Sequence, residues 1–487
     1  MKLERLKILD DQEIEKIHEY TLTILSEVGI HVDLKKMRER LADVGCEVDE
    51  KEKRVRFRPD FVMETVKKAP RKFTLCGADP DNQWEISPDT QIFGGLGTLI
   101  NITDLETGVY RQTTLQDLVN HLILFDHLDH IVSNQMDVWA HDIPMHTIHV
   151  EGIRAWIRNC TKSFGMGAYG VLATQDMMEM LALVMGGKDQ IRDKHPFATI
   201  VSIHSPLSTV QTQLEGLMIL AEQGQPAIVS PEAMAGTTAP ATLAGLLVQH
   251  NAEVLAHIIM AQIVNPGTPI MYGTVSTIAE MRRATVALGA VETGLISAAC
   301  TQLAHYYDVP CRAVAGGTEA KLFDLQCGFE RDRSMMMTAM AGANYITCVG
   351  TTESTMAGGH ELAVIDNELI GMTKRALAGI SVTEDTLALD VIKKVGPNGN
   401  YIMESHTLDH FRNEQFLSNI VDRDMRDVWE NEGKRGMVER AREEALKILA
   451  NHEPRELDSQ LVKEMDGFVA MVSKRSEEDY YAAEWEG

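Results

Sequence analysis

Short apolar runs in this chain repeatedly end in a side chain that carries charge or presents an aromatic face. AVAGGTEAK places Glu319 and Lys321 just behind Gly316-Gly317, and ITCVGTTES places Glu353 behind Gly350. ATIVSIHSP ends on His204 and AIVSPE on Glu232, while other runs end near Asn101, Asp137 with Trp139, Tyr169, and Tyr272 with Ser276. Aromatic faces beside carboxylates suit a quaternary ammonium ion, which has no N–H to donate and is held by ring quadrupoles and negative potential. Aromatic residues are only 6% of the chain, so Trp139, Tyr169 and Tyr272 are candidates for one cage; the alternative for each is packing under a loop. Lys321 offers a second chemistry, a Schiff base with a carbonyl substrate. Glu319 and Asp324 beside it instead favour a charged, ion-paired amine.

Metal chemistry has weaker support. His121, His127, His130, His141, His146 and His149 crowd one region, yet no HExxH or paired Cys/His spacing accompanies them. No metal site is expected. The seven cysteines are scattered without CxxC pairs, so the expectation is free thiols in a reducing cytoplasm. With 71 acidic against 46 basic residues the formal charge is −25, which opposes binding to nucleic acid or anionic membrane. No run of about 18 apolar residues is present to span a bilayer. The 26 methionines fall mostly at helical spacing, where filling a core explains them.

The elements that must position these groups alternate strand with helix. Strands are expected at Gln91–Phe93 with an extension to Ile102, Ile131–Met136, Ser163–Ala168, Phe197–His204, Ala227–Glu232, Pro269–Ser276, Pro310–Ala315 and Tyr345–Val349. Helices are expected near 115–127, 147–160, 175–186, 208–223, 241–264, 280–306 and 325–341, with a last one from about Leu362. Continuously apolar strands separated by helices imply a parallel sheet, and eight such units imply a (β/α)8 TIM barrel with its chemistry at the carboxyl ends of the strands. A doubly wound sheet is the alternative, but neither a GxGxxG nor a GxxxxGK[ST] fingerprint supports it. Residues 1–90 read as an N-terminal α+β cap, 91–386 as the barrel, and 387–487 as a charged helical extension covering it, ending in the acidic SEEDYYAAEWEG. The Ala- and Gly-rich run 280–306 is suited to packing against a second subunit or within the chain, so a homo-oligomer is open.

Three stretches carry a family likeness: GGTEAKLFDLQCGFE, AMAGANYITCVGTTES and ELAVIDNEL, together with the N-terminal run from TILSEVGIHVDL to FTLCGADP. In them the chain resembles the trimethylamine methyltransferase (MttB-like) superfamily along nearly its whole length. That resemblance implies a TIM barrel that moves a methyl group from a methylamine to the Co(I) of a corrinoid (cobalamin) carried by a separate protein. Founding members carry pyrrolysine in the segment matching Thr347 to Gly350, where this chain has ordinary residues, ITCVG. Members without pyrrolysine resemble methyltransferases of glycine betaine and related quaternary amines. Glu319 stands where many relatives have Asp, which keeps the charge and lengthens its reach.

The leading expectation is therefore a quaternary amine methyltransferase with a corrinoid protein as partner. Glu319 and Glu353 are the candidate catalytic groups. Trp139, Tyr169 and Tyr272 are candidates to face the cation, and Glu232 joins the two acids in setting a negative potential. His204 or His360 is the candidate to hold a substrate carboxylate, with Lys321 a further substrate-binding candidate. A lysine Schiff-base lyase using Lys321 and a non-catalytic betaine-binding protein are the alternatives.

Overall fold

Eight short parallel strands form one ring. The computed structural model describes residues 3–95, 98–135, 138–478 and 480. The strands are β1 (Ile92–Gly95), β2 (Ser133–Gln135), β3 (Ser163–Gly165), β4 (Thr199–Ile203), β5 (Ala227–Pro231), β6 (Ile270–Thr274), β7 (Cys311–Val314) and β8 (Tyr345–Val349). They pair in the order β3-β2-β1-β8-β7-β6-β5-β4, and the bridges Phe164↔Phe197 and Gly167↔Ile200 join β3 to β4. The sheet is thus a TIM barrel rather than an open doubly wound sheet. Every residue of β5, β6 and β8 is buried, because helices cover the outside and side chains fill the inside.

The helices of the repeat are α1 (Leu115–His127), α2 (Ile148–Asn159), α3 (Gly170–Val184), α4 (Gln211–Glu222), α5 (Leu243–Val264), α6 (Val291–Tyr306), α7 (Leu325–Ala341) and α8 (His360–Ala378). Local chemistry sets several of their ends. Thr114 and Asp117 form a capping box at the start of α1, the Asp324 side chain caps α7, and left-handed Gly342 ends α7. Helix α5 is long and apolar enough to cross a membrane, but its apolar window is mostly buried in the barrel wall.

Parity along each strand divides the interior from the wall. Ala198, Ile228, Met271, Tyr345 and Ile92 meet at the floor of the barrel, where Phe73, Leu75 and Ile86 close it from below. These last three come from the hairpin Phe73–Cys76 with Gln83–Ile86. A higher layer joins Val314, Cys348 and Leu288 with Ile200 and Val275. Outward residues such as Val229, Tyr272, Ala313 and Ile346 pack in the main core against the helices.

Two expected elements take another form. The stretch 277–287 is not the start of a helix: Thr277–Glu280 pairs antiparallel with Thr285–Ala287 and lies beside Met234–Ala235. Its β-branched residues (Thr277, Ile278, Thr285, Val286) favour the pleated form, and α6 starts only at Val291. Asn101 is not an extension of β1 but lies in the hairpin Asn101–Thr103 with Tyr110–Gln112.

After α8 come α9 (Leu389–Val395), α10 (Ser405–Glu414), α11 (Arg426–Asn431), α12 (Met437–Asn451) and α13 (Ser459–Val472). Helix α12 packs on α8 and α1, and α13 on α3 and α2. Arg475 clamps α13 to the barrel through a bidentate pair with Asp176.

Candidate active site

The carboxyl ends of the strands surround an open cavity of about 810 Å3. Its wall includes Tyr169 after β3, Ser202 on β4, Glu232 after β5, Val275 after β6, Glu319 and Lys321 after β7, and Glu353 after β8. The hairpin at 277–287 contributes Thr277, Thr285 and Val286, and α4 contributes Gln213. Gln213 also ties the rim together, accepting from Ser202 N–H at 2.9 Å and donating to the Ala168 carbonyl at 2.6 Å.

Glu319 is the most constrained of the acids. Its carboxylate accepts from Gly289 N–H at 2.9 and 3.0 Å and from the Ser354 hydroxyl at 2.6 Å. A Cβ at Gly289 would lie 2.8 Å from Glu319 Oε2 and 2.5 Å from Glu330 Oε2, so the bare glycine permits this approach. Burial raises the Glu319 carboxyl above its ordinary value, the neighbouring Glu330 adds to this, and the bonds to Ser354 and Gly289 oppose it. Glu232 is open to the cavity but enclosed by protein elsewhere. That enclosure raises its carboxyl, against the pull of the buried Arg312 guanidinium and of Ser202.

Glu353 sits on a loop whose backbone is out of the ordinary. Glu353, Ser354 and Thr355 take φ of 52°, 53° and 72°, three successive non-glycine residues in the left-handed region. Pairing of Thr351–Thr352 with Ala357–Gly358 and a bond from Ser354 N–H to the Thr318 carbonyl at 2.9 Å hold the loop against β7. Below it, Cys348 takes φ 122° where β8 shifts register between Thr347 and Val349. The buried Arg331–Asp366 pair secures this bend, since Arg331 donates to the Cys348 carbonyl and Asp366 accepts from Gly350 N–H.

Tyr169 provides the aromatic wall. Its ring folds over Gly167, where a Cβ would come within 2.7 Å of the ring. Burial pushes its hydroxyl up to about 12, so the ring faces the cavity as a neutral phenol. Trp139 lies behind it, edge to face at 6.2 Å between centroids, and lines a smaller annex of about 120 Å3 with His149 and Tyr480.

The structure thus gathers Tyr169, Glu232, Glu319, Lys321 and Glu353 around one cavity, with Trp139 one ring away. It places three other candidates elsewhere. Tyr272 points outward from β6 into the helical layer, where its hydroxyl donates to Asn251 Oδ1 at 3.1 Å and stacks its ring on His250. His204 is exposed in the loop after β4, which folds back on itself through a bridge to Ser208. His360 is the first residue of α8, buried against His121 with ring centroids 4.9 Å apart, and burial lowers its pKa. Asp137 lies outside the described residues. Lys321 is exposed and donates to its neighbour's carbonyl, Glu319 O, at 2.6 Å, which is not the desolvated setting of a Schiff-base lysine. Among the described residues no three His, Cys, Asp or Glu side chains converge as metal ligands.

Residues 1–478 match the family described as trimethylamine methyltransferase (MTTB). The chain belongs to that family. It is 35% identical to a glycine betaine methyltransferase of Desulfitobacterium hafniense strain Y51 over 480 residues, covering 98% of this chain and 99% of the relative. A trimethylamine methyltransferase of Desulfitobacterium hafniense strain DSM 10664 / DCB-2 is 33% identical over 473 residues, covering 97% and 94%. Among solved structures, the monomethylamine methyltransferase of Methanosarcina barkeri aligns with a TM-score of 0.48 at 12% identity, covering 93% of this chain and 97% of that one. The protein is a methyltransferase, and its cavity is the place in the barrel where the methyl donor is to be sought.

Proposed function

We propose that this methyltransferase takes a methyl group from a quaternary amine, glycine betaine or a related betaine, and passes it to the Co(I) of a corrinoid carried by a partner protein. The observation that carries this reading is the convergence of Tyr169, Glu232, Glu319 and Glu353 on one open cavity. A quaternary ammonium ion placed there meets an aromatic face and negative charge without needing to donate a hydrogen bond. Trp139 backs Tyr169, and Lys321 at the rim is the cation available to a substrate carboxylate. The name of the 35% identical relative supports the same donor class.

The chemistry asks little of the protein beyond positioning. The partner's corrinoid would supply a cobalt(I) nucleophile for the methyl carbon. The C–N bond breaks with its electron pair going to nitrogen, and a neutral tertiary amine leaves without being protonated. Glu319, held by Gly289 and Ser354, and Glu353 on its strained loop fix the cation so that one methyl faces the mouth. The cavity is much larger than a betaine, leaving its upper part open to an approaching methyl acceptor. The β8 segment, with a buried Cys348 at its bend, fits direct displacement from a quaternary nitrogen rather than covalent activation of trimethylamine.

The test is methyl transfer to reduced cobalamin, or to a reduced corrinoid protein, with glycine betaine, proline betaine, carnitine, butyrobetaine and choline as separate donors. Methylcobalamin and the matching tertiary amine are expected from at least one betaine. Turnover with none of them, or with trimethylamine alone, would remove the proposal.

A further inference from the structure

Beyond α8 the chain leaves the barrel and buries no side chain again until Ile420: every residue from 378 to 419 is exposed or half-buried. This stretch nevertheless contains α9 and α10, of seven and ten residues, neither with a single buried residue. Helices this short do not persist in water without an apolar surface to lie on. The arm carries apolar side chains for such a contact, but its own chain leaves them bare. Val382, Leu387, Leu389, Ile402, Met403 and Leu408 are all exposed, Met403 to 90%. The root is fixed, since Arg375 pairs with Glu414 at 3.1 Å and Phe416 packs 6.3 Å from the His130 ring.

We infer that this arm is the contact surface for a second copy of the same chain, arm against arm. Burying a large apolar side chain removes roughly 100 Å2 from water. The six named residues therefore offer on the order of 600 Å2, most of the ~800 Å2 per partner of a standard interface. Location selects the occupant. Helix α8 starts beside the cavity and runs 19 residues away from it, so the arm is rooted about 28 Å from the mouth, on the opposite face. A methyl acceptor works at the mouth and departs with each turnover, a step that rests on the proposed function. A cover for the arm must be permanent and must reach the other face. Every copy has the same bare surface, and a twofold axis through it covers both at once.

Sedimentation velocity and amide hydrogen exchange on the full chain test this without any substrate. The wild type is expected at twice the 54.1 kDa of one chain, or a higher even multiple, with arm amides protected. The double substitution Ile402→Asp, Met403→Asp is expected to raise the dissociation constant at least tenfold and to deprotect the arm, with exchange in the barrel unchanged. If the variant loses barrel protection as well, dilution of the wild type decides, since arm protection must then fall with the dimer. A wild type that is monomeric at micromolar concentration overturns the inference. So does an oligomer whose arm exchanges like a free peptide, or an arm protected only when a corrinoid protein is added.

Discussion

Tyr272 shows how much a single side chain's direction matters. The residue follows an apolar run and has the ring a cation cage needs, yet Met271 and Gly273 occupy the inner face of β6 and turn it outward. There its hydroxyl meets Asn251 and His250, both buried. Removing only that hydroxyl strands two buried polar groups, at a cost of about 1–3 kcal/mol. Tyr272→Phe is therefore expected to lower the denaturation midpoint while leaving KM for the amine unchanged. A raised KM at unchanged stability would return the residue to the site. Tyr169 presents the opposite case, with its ring on the cavity wall and its edge partner Trp139 behind.

At the scale of elements, the barrel strands and most helices can be read from the sequence because both faces of a parallel strand are covered, which leaves an unbroken apolar run between helical stretches. The same property hides orientation. A strand without alternation gives no sign of which residues face inward, so Tyr272 and Glu232 look alike as strand-end residues. The rim is less legible still. Nothing in TTEST announces three left-handed residues, and the turn at Glu280–Ala284 sits in a stretch whose composition also suits a helix. Helix α5 holds one such rim loop through Glu253, whose carboxylate accepts from Leu207 N–H and the Ser205 hydroxyl, each at 2.8 Å. Burial raises that carboxyl to about 7, and its hydrogen bonds oppose the rise only in part. An acid whose pKa is higher in the folded state destabilises progressively as pH climbs from its unfolded value near 4.5 through about 7. Glu253→Gln keeps an acceptor and cannot ionise. Its stability relative to wild type is expected to rise from near zero at about pH 4 to ~3 kcal/mol at about pH 8, by ~1.4 kcal/mol per pKa unit. Chemical denaturation across that range reads this difference, and a pH-independent difference would mean the carboxyl is not held this way.

At the scale of the whole molecule, the arm and the charge set opposing demands. Each chain carries −25, so joining two copies brings together bodies that repel at long range, while the arm contact is apolar. Added salt shortens the screening length from about 14 Å at ~0.05 M to about 4 Å at ~0.5 M and so removes most of that repulsion. The apolar contact does not depend on ionic strength in this way. An interface built from ion pairs would show the reverse trend, and so would docking of a basic patch on a partner. The dissociation constant of the dimer is therefore expected to fall several-fold between about 50 and 500 mM NaCl, measured by sedimentation velocity on serial dilutions. Charge-reducing substitutions far from the arm should mimic the salt, tightening the dimer at low ionic strength and flattening its response. A dimer that loosens with salt would mean that charge, not the bare apolar side chains of residues 378–419, holds the two copies together.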